Sequence, residues 1–187
     1  DRPFGAVEAR RLVAHEVLGH ALAGARGARE QFAIFEIGTA GSFADQEGLA
    51  IAREEQAGAL DGARWRILAA RVVATDRMHE GASFGETARG LVRDVGLPPG
   101  VAITTTERAY RGGGVARDAG YLAGLLRVRA ALADESASVD ELRAGRLDLG
   151  AIPTLRWAVG QGLAQPSPPA IDLEAVLTRA GCPPRPC

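Results

Sequence analysis

Val13-Ala14-His15-Glu16-Val17-Leu18-Gly19-His20 holds two of the chain's three histidines, with a glutamate beside the first. Leu12, Val13, Val17, Leu18, Ala21 and Leu22 recur at helical spacing between Val7 and Ala25 without a proline, so the stretch reads as an amphipathic helix. The familiar zinc-binding helix spaces its histidines four apart, which puts both imidazoles on one face. Here the spacing is five. An ideal α-helix turns roughly 100° per residue and would leave the two rings roughly 140° apart, too far for one ion. A π-bulge near Val17–Gly19 would return them to a common face, and Gly19 has no side chain to resist the widening.

Working outward, the chain reads as mainly α with a small β element. Residues 26–44 alternate Gly and Ala with Phe32, Ile34, Phe35, Ile37 and Phe43, a strand or an irregular loop. Gln46–Ala57 reads as a helix that Asp45 can cap, and Asp61–Glu80 as a longer one. Ser83 followed by Glu86 predicts a capping box on a helix from Gly85 to Val95. Gly96-Leu97-Pro98-Pro99-Gly100 is a stop, and Thr104–Tyr110 leads into Gly112-Gly113-Gly114. Further helices are expected over Asp118–Ala133, in two short pieces around Pro153, and near Leu173–Arg179. No repeat or long linker divides the chain, so 1–187 reads as one domain with a Pro-rich extension over 165–187.

Composition narrows the function classes. Hydrophobic residues are 47% and charged residues 24% of 187, which fits a globular chain and excludes disorder. The 22 basic residues are all Arg and face 23 acidic ones, so nothing in the charge balance calls for nucleic acid or an anionic membrane. No apolar run approaches the ~20 residues of a membrane span. The absence of Lys and Asn removes Schiff-base and P-loop lysine mechanisms and any Asn ligand. Cys182 and Cys187 sit in a terminal CPPRPC that reads as a frayed tail, not as a disulfide framework or zinc knuckle. No charged segment followed by an apolar one opens the chain, so a cytoplasmic location is expected.

A third ligand is the deciding question, because zinc hydrolases keep three protein ligands and leave one position for water. Asp45-Gln46-Glu47-Gly48-Leu49-Ala50 supplies a carboxylate, Glu47, on the next helix. Zinc lowers the pKa of its water toward about 7, and Glu16, next to a ligand, can take that water's proton and pass it to the leaving amine. Tyr121 and Arg111 are candidate donors to the oxyanion. Arg111, beside three glycines, is also the candidate fork for a terminal carboxylate. His79 reads as a helix-end histidine meeting the dipole, and Glu54 and Glu55 as a solvated face, with Glu54 at most orienting a ligand. Trp65 and Trp157 read as core.

QEGLA at 46–50, after His-Glu-x-x-x-His on the preceding helix, resembles the QEGLA-motif proteins, a family that includes the microtubule-associated tyrosine carboxypeptidases. The likeness continues through Tyr110-Arg111-Gly112-Gly113, Arg117-Asp118-Ala119-Gly120-Tyr121-Leu122-Ala123-Gly124 and Ala144-Gly145-Arg146-Leu147. It implies a zincin-like domain of the gluzincin type, Zn²⁺ held by His15, His20 and Glu47, and Glu16 as general base. It implies a metallocarboxypeptidase acting on a peptide or protein C-terminus, with an aromatic last residue as the preferred one. Arg117 stands where the family pattern usually has Lys, and is a second substrate-binding candidate. Only 14 residues precede His15, so a partner chain or an absent N-terminal region is expected to complete the cleft. The rival expectation is a non-catalytic zinc-containing regulatory or binding module.

Overall fold

The structure is a computed structural model that describes residues 5–111, 117–166 and 171–182. The architecture is mainly α, and no strand is present among the described residues. The expected small β element is therefore replaced. Residues 26–44 hold the end of one helix, a bend, a short helix and the start of another. Two compact units are formed, one from residues 1–60 with 124–187 and one from 61–123.

The first unit opens with α1 (Ala6–Leu12), a π-helix over Val13–Ala21 and α2 (Leu22–Gly27), which run on without a break. The π stretch is the widening that the five-residue histidine spacing demanded. After the four-residue α3 (Ile34–Ile37) comes α4 (Ser42–Gln56), the most buried helix of the unit. It begins four residues before the expected Gln46, so Asp45 is not its cap. Asp45 is fully buried in the first turn, where it accepts from the Leu149 amide (2.8 Å) and from Arg127 Nη2 (3.1 Å).

The π-helix and α4 touch backbone to backbone. A Cβ on Gly19 would lie 2.6 Å from Ala50 Cβ, and one on Gly48 would lie 2.2 Å from the Gly124 carbonyl carbon. Gly124 belongs to α8 (Gly120–Ala133), so α4 is pressed between the π-helix on one side and this helix on the other. Gln46 Nε2 donates to the carbonyls of Leu142 (3.1 Å) and Leu147 (2.8 Å), which ties α4 to the loop after α9 (Val139–Leu142).

Pro153 sits just past the junction of the two expected short pieces, a 3-10 turn over Leu149–Ala151 and the helix that it runs into. It lies in the first turn of α10 (Ile152–Gly160), where its missing N–H has no intrahelical partner to lose. Trp157 on that helix is 59% exposed, which corrects its reading as core. α11 (Leu173–Arg179), capped by Asp172, brings Leu177 and the following Cys182 against Ala14, Ala57 and Ala59. Arg10 pins it by a two-point contact to Glu174 (2.9 and 3.1 Å). Leu173, Leu177 and Cys182 are thus packed into the core; of the CPPRPC stretch read as a frayed tail, residues 183–187, with Cys187, lie outside the described residues.

The second unit contains α5 (Gly62–His79), α6 (Phe84–Val95) and α7 (Pro99–Tyr110), packed over Ala70, Ala74, Leu91, Leu97 and Ala102. Asp61 caps α5 by accepting from the Arg64 amide, and Ser83 with Glu86 closes the capping box that the sequence predicts. Gly112-Gly113-Gly114 lies outside the described residues.

The helix contacts predict a contrast between two glycine substitutions. Gly48→Ala drives a methyl into the α8 backbone and should cost about 1–3 kcal/mol. Gly62→Ala adds a Cβ that meets nothing, at the solvent-exposed start of α5, and should be neutral or slightly stabilising. Denaturant unfolding of both variants checks this; equal midpoints would contradict the close packing of α4.

Candidate metal centre

His15 and His20 leave the π-helix on one face because an i→i+5 turn stacks residues five apart, as an α-turn stacks those four apart. Their rings meet edge to face with centroids 4.9 Å apart, and their Nε2 atoms are 3.3 Å apart. Glu47, in the second turn of α4, brings Oε2 to 3.3 Å from His15 Nε2 and 3.6 Å from His20 Nε2. Three potential ligand atoms thus form a nearly equilateral triangle.

The triangle has the dimensions of a metal site. Arms of about 2.0–2.1 Å directed to the corners of a tetrahedron put ligand atoms about 3.3–3.4 Å apart. Two imidazole nitrogens and one carboxylate oxygen form a donor set suited to Zn²⁺. Glu47 Oε2 is buried with no hydrogen-bond partner of good geometry, an acceptor left facing the other two ligand atoms. Glu47 is 8% exposed and His15 9%, while His20 is less covered. The residues therefore fit a small divalent cation.

Glu54 completes the arrangement from behind. It lies two turns after Glu47 on α4, is fully buried, and meets His15 Nδ1 at 2.7 Å. That corrects its reading as a solvated face; Glu55 is the exposed one, paired with Arg129. A carboxylate on Nδ1 fixes the ring's orientation and directs Nε2 to the triangle. The same charges show in the titration of the metal-free cluster. Burial opposes a charge on His15, yet the close Glu47 and Glu54 carboxylates outweigh it and raise its pKa to about 9. Burial likewise opposes ionisation of Glu47, but the two histidines hold it down to about 2.

Glu16 is exposed on the π-helix, one residue from His15. His79 is exposed at the last position of α5. Arg111, Arg117 and Tyr121 belong to the second unit. Arg111 is exposed at the C-terminal end of α7, with its amide bonded to the Glu107 carbonyl, and Arg117 is exposed. Tyr121 is buried, with the Arg71 guanidinium 4.6 Å from its ring centroid. Next to it Asp118 accepts two hydrogen bonds from Arg108, at 3.0 and 3.2 Å. Arg71 carries no sequence signal, being one arginine among 22; Glu54 sits in a surface-like run of charges, but its place two turns after Glu47 already allowed it to orient a ligand.

A family model described as microtubule-associated tyrosine carboxypeptidase matches residues 2–178. The chain belongs to this family. Comparisons with curated proteins and with solved structures give no match. The family match takes in both the His15–His20–Glu47 cluster and the Arg117–Gly124 segment, so the motifs that carried the resemblance lie within it.

Glu54 supplies the test of this geometry. Glu54→Gln keeps an acceptor for His15 Nδ1 but removes the charge, and should lower zinc affinity about 10- to 100-fold in competition with a chromophoric chelator. Unchanged affinity would contradict the orienting role.

Proposed function

We propose that the chain is a zinc-dependent carboxypeptidase of zincin-like, gluzincin type, acting on the C-terminus of a peptide or protein. The observation that carries this reading is the triangle of His15 Nε2, His20 Nε2 and Glu47 Oε2, with edges of 3.3, 3.3 and 3.6 Å. Membership of the carboxypeptidase family supports the reaction class, and the family description supports tyrosine, an aromatic residue, as the one removed. A cytoplasmic setting, and completion of the cleft by a partner or additional N-terminal chain, belong to the same proposal.

In this reading His15, His20 and Glu47 hold the zinc, and Glu54 keeps His15 in register. When bound, the ion would supply an acidified water near neutral pH and polarise the scissile carbonyl. Glu16 takes one proton from the attacking water as its oxygen joins the carbonyl carbon. It returns that proton to the nitrogen as the C–N bond breaks, leaving a shortened chain and a free amino acid. Glu16 ends the cycle ionised, as it began, and its exposed position leaves it open to the incoming water. Tyr121 is the proposed donor to the oxygen that gains charge, while Arg111 and Arg117 are proposed substrate contacts.

Two measurements on one pair of proteins test the proposal. Stripping metal with a chelator should lower the melting temperature of both the parent and Glu16→Gln, since zinc stabilises the folded state by mass action. Glu16→Gln should keep its zinc and lose at least ~10²-fold in turnover of a peptide with an aromatic C-terminal residue. A zinc-loaded parent that releases no C-terminal residue would leave a non-catalytic zinc module in its place.

A further inference from the structure

We infer that Arg71 is a carboxylate-binding fork, and that its ligand is the free C-terminal carboxylate of a peptide. Arg71 projects from α5, where its guanidinium lies 4.6 Å from the ring centroid of Tyr121. Stacking on an aromatic face holds a guanidinium in one plane while leaving its edge free for hydrogen bonds. Nε is buried and has no hydrogen-bond partner, and among the described residues no carboxylate pairs with this guanidinium. The nearby acid is already engaged: Asp118 is gripped at both oxygens by Arg108.

The electrostatics agree with that geometry. Burial, followed by the charges of Arg108 and Arg64, pushes the Arg71 pKa down to about 10 despite Asp118 and Tyr121. A guanidinium kept half-covered beside like charges, without an acid of its own, is costly unless an anion completes it. Because Nε is covered, Nη1 and Nη2 form the edge left for that anion, and two parallel donors match the two oxygens of a carboxylate. Arg111, the fork favoured by sequence, is exposed at a helix end and has no such platform among the described residues. Identifying the carboxylate as a peptide C-terminus rests on the carboxypeptidase reading; the anion site itself rests on Arg71.

The test measures binding, so it does not depend on turnover. In the zinc-loaded Glu16→Gln protein, fluorescence anisotropy would follow a fluorescein-labelled pentapeptide ending in phenylalanine with an internal glutamate. The same peptide would be tried as its C-terminal amide, and as the free acid with glutamine in place of the glutamate. The free acid should bind about 10- to 100-fold more tightly than the amide, the range of a charged hydrogen bond, and the glutamine peptide should bind like the free acid. Arg71→Ala should abolish the preference. Arg71→Lys, which keeps stem and charge but loses the fork, should retain only part of it and guards against misfolding of the alanine variant. Tyr121→Phe, which keeps the platform, should retain the preference whatever it does to turnover. A preference unchanged in both Arg71 variants overturns the inference, as does equal affinity for acid and amide in the parent. A preference that follows the internal glutamate points to an acidic side chain and overturns the C-terminal assignment. Loss of Glu16-dependent cleavage with an intact Arg71-dependent preference would instead sink the catalytic reading and leave the anion site standing.

Discussion

One widened helical turn governs this structure. Histidines five residues apart can share a ligand position only if the backbone between them carries an extra residue per turn, and Val13–Ala21 is a π-helix. A π-helix exchanges i→i+4 bonds for i→i+5 bonds and persists where neighbouring packing holds it. Here α4 supplies that packing. Gly19 lies against Ala50 so closely that a methyl between them would overlap, and α4 is held in turn against Gly124 through Gly48. The histidine register and the helix approach are therefore one constraint: the small residues that bring α4 near are also those that bring Glu47 to the imidazoles.

The QEGLA segment reads as a division of work along one helix face and its neighbours. Gln46 anchors two carbonyls of the 142–147 loop, Glu47 faces the histidines, Gly48 admits α8, Leu49 is fully buried, and Ala50 is small enough for Gly19. Glu54, two turns on, braces His15 from the same helix. A single rigid element thus sets both one proposed ligand and the group behind another. Sites built on such elements hold their geometry better than sites built on loops.

Much of the candidate site was legible because it is local. The π-widening follows from counting residues between two histidines, and the helix start at Ser83 follows from a side chain that bonds an amide three residues away. Contacts distant in sequence were not legible. Asp45 looked like a cap because its type suits one, but its partners are Leu149 and Arg127, more than eighty residues away. Glu54 looked like surface because its charge and that of Glu55 stand together, whereas one faces His15 and the other Arg129. Residues 26–44 read as a strand or an irregular loop, and the chain there turns through α3. Arg71 gained its meaning from a tyrosine fifty positions later.

The central claim is that the π-helix and α4 create one three-ligand zinc site. X-ray absorption at the zinc edge, on protein reconstituted with one equivalent of the metal, measures it most directly. The account predicts two imidazoles among nitrogen and oxygen ligands at about 2.0–2.1 Å, with one imidazole lost in His20→Ala. A sulfur scatterer at about 2.3 Å, or an imidazole count indifferent to His20, would contradict it.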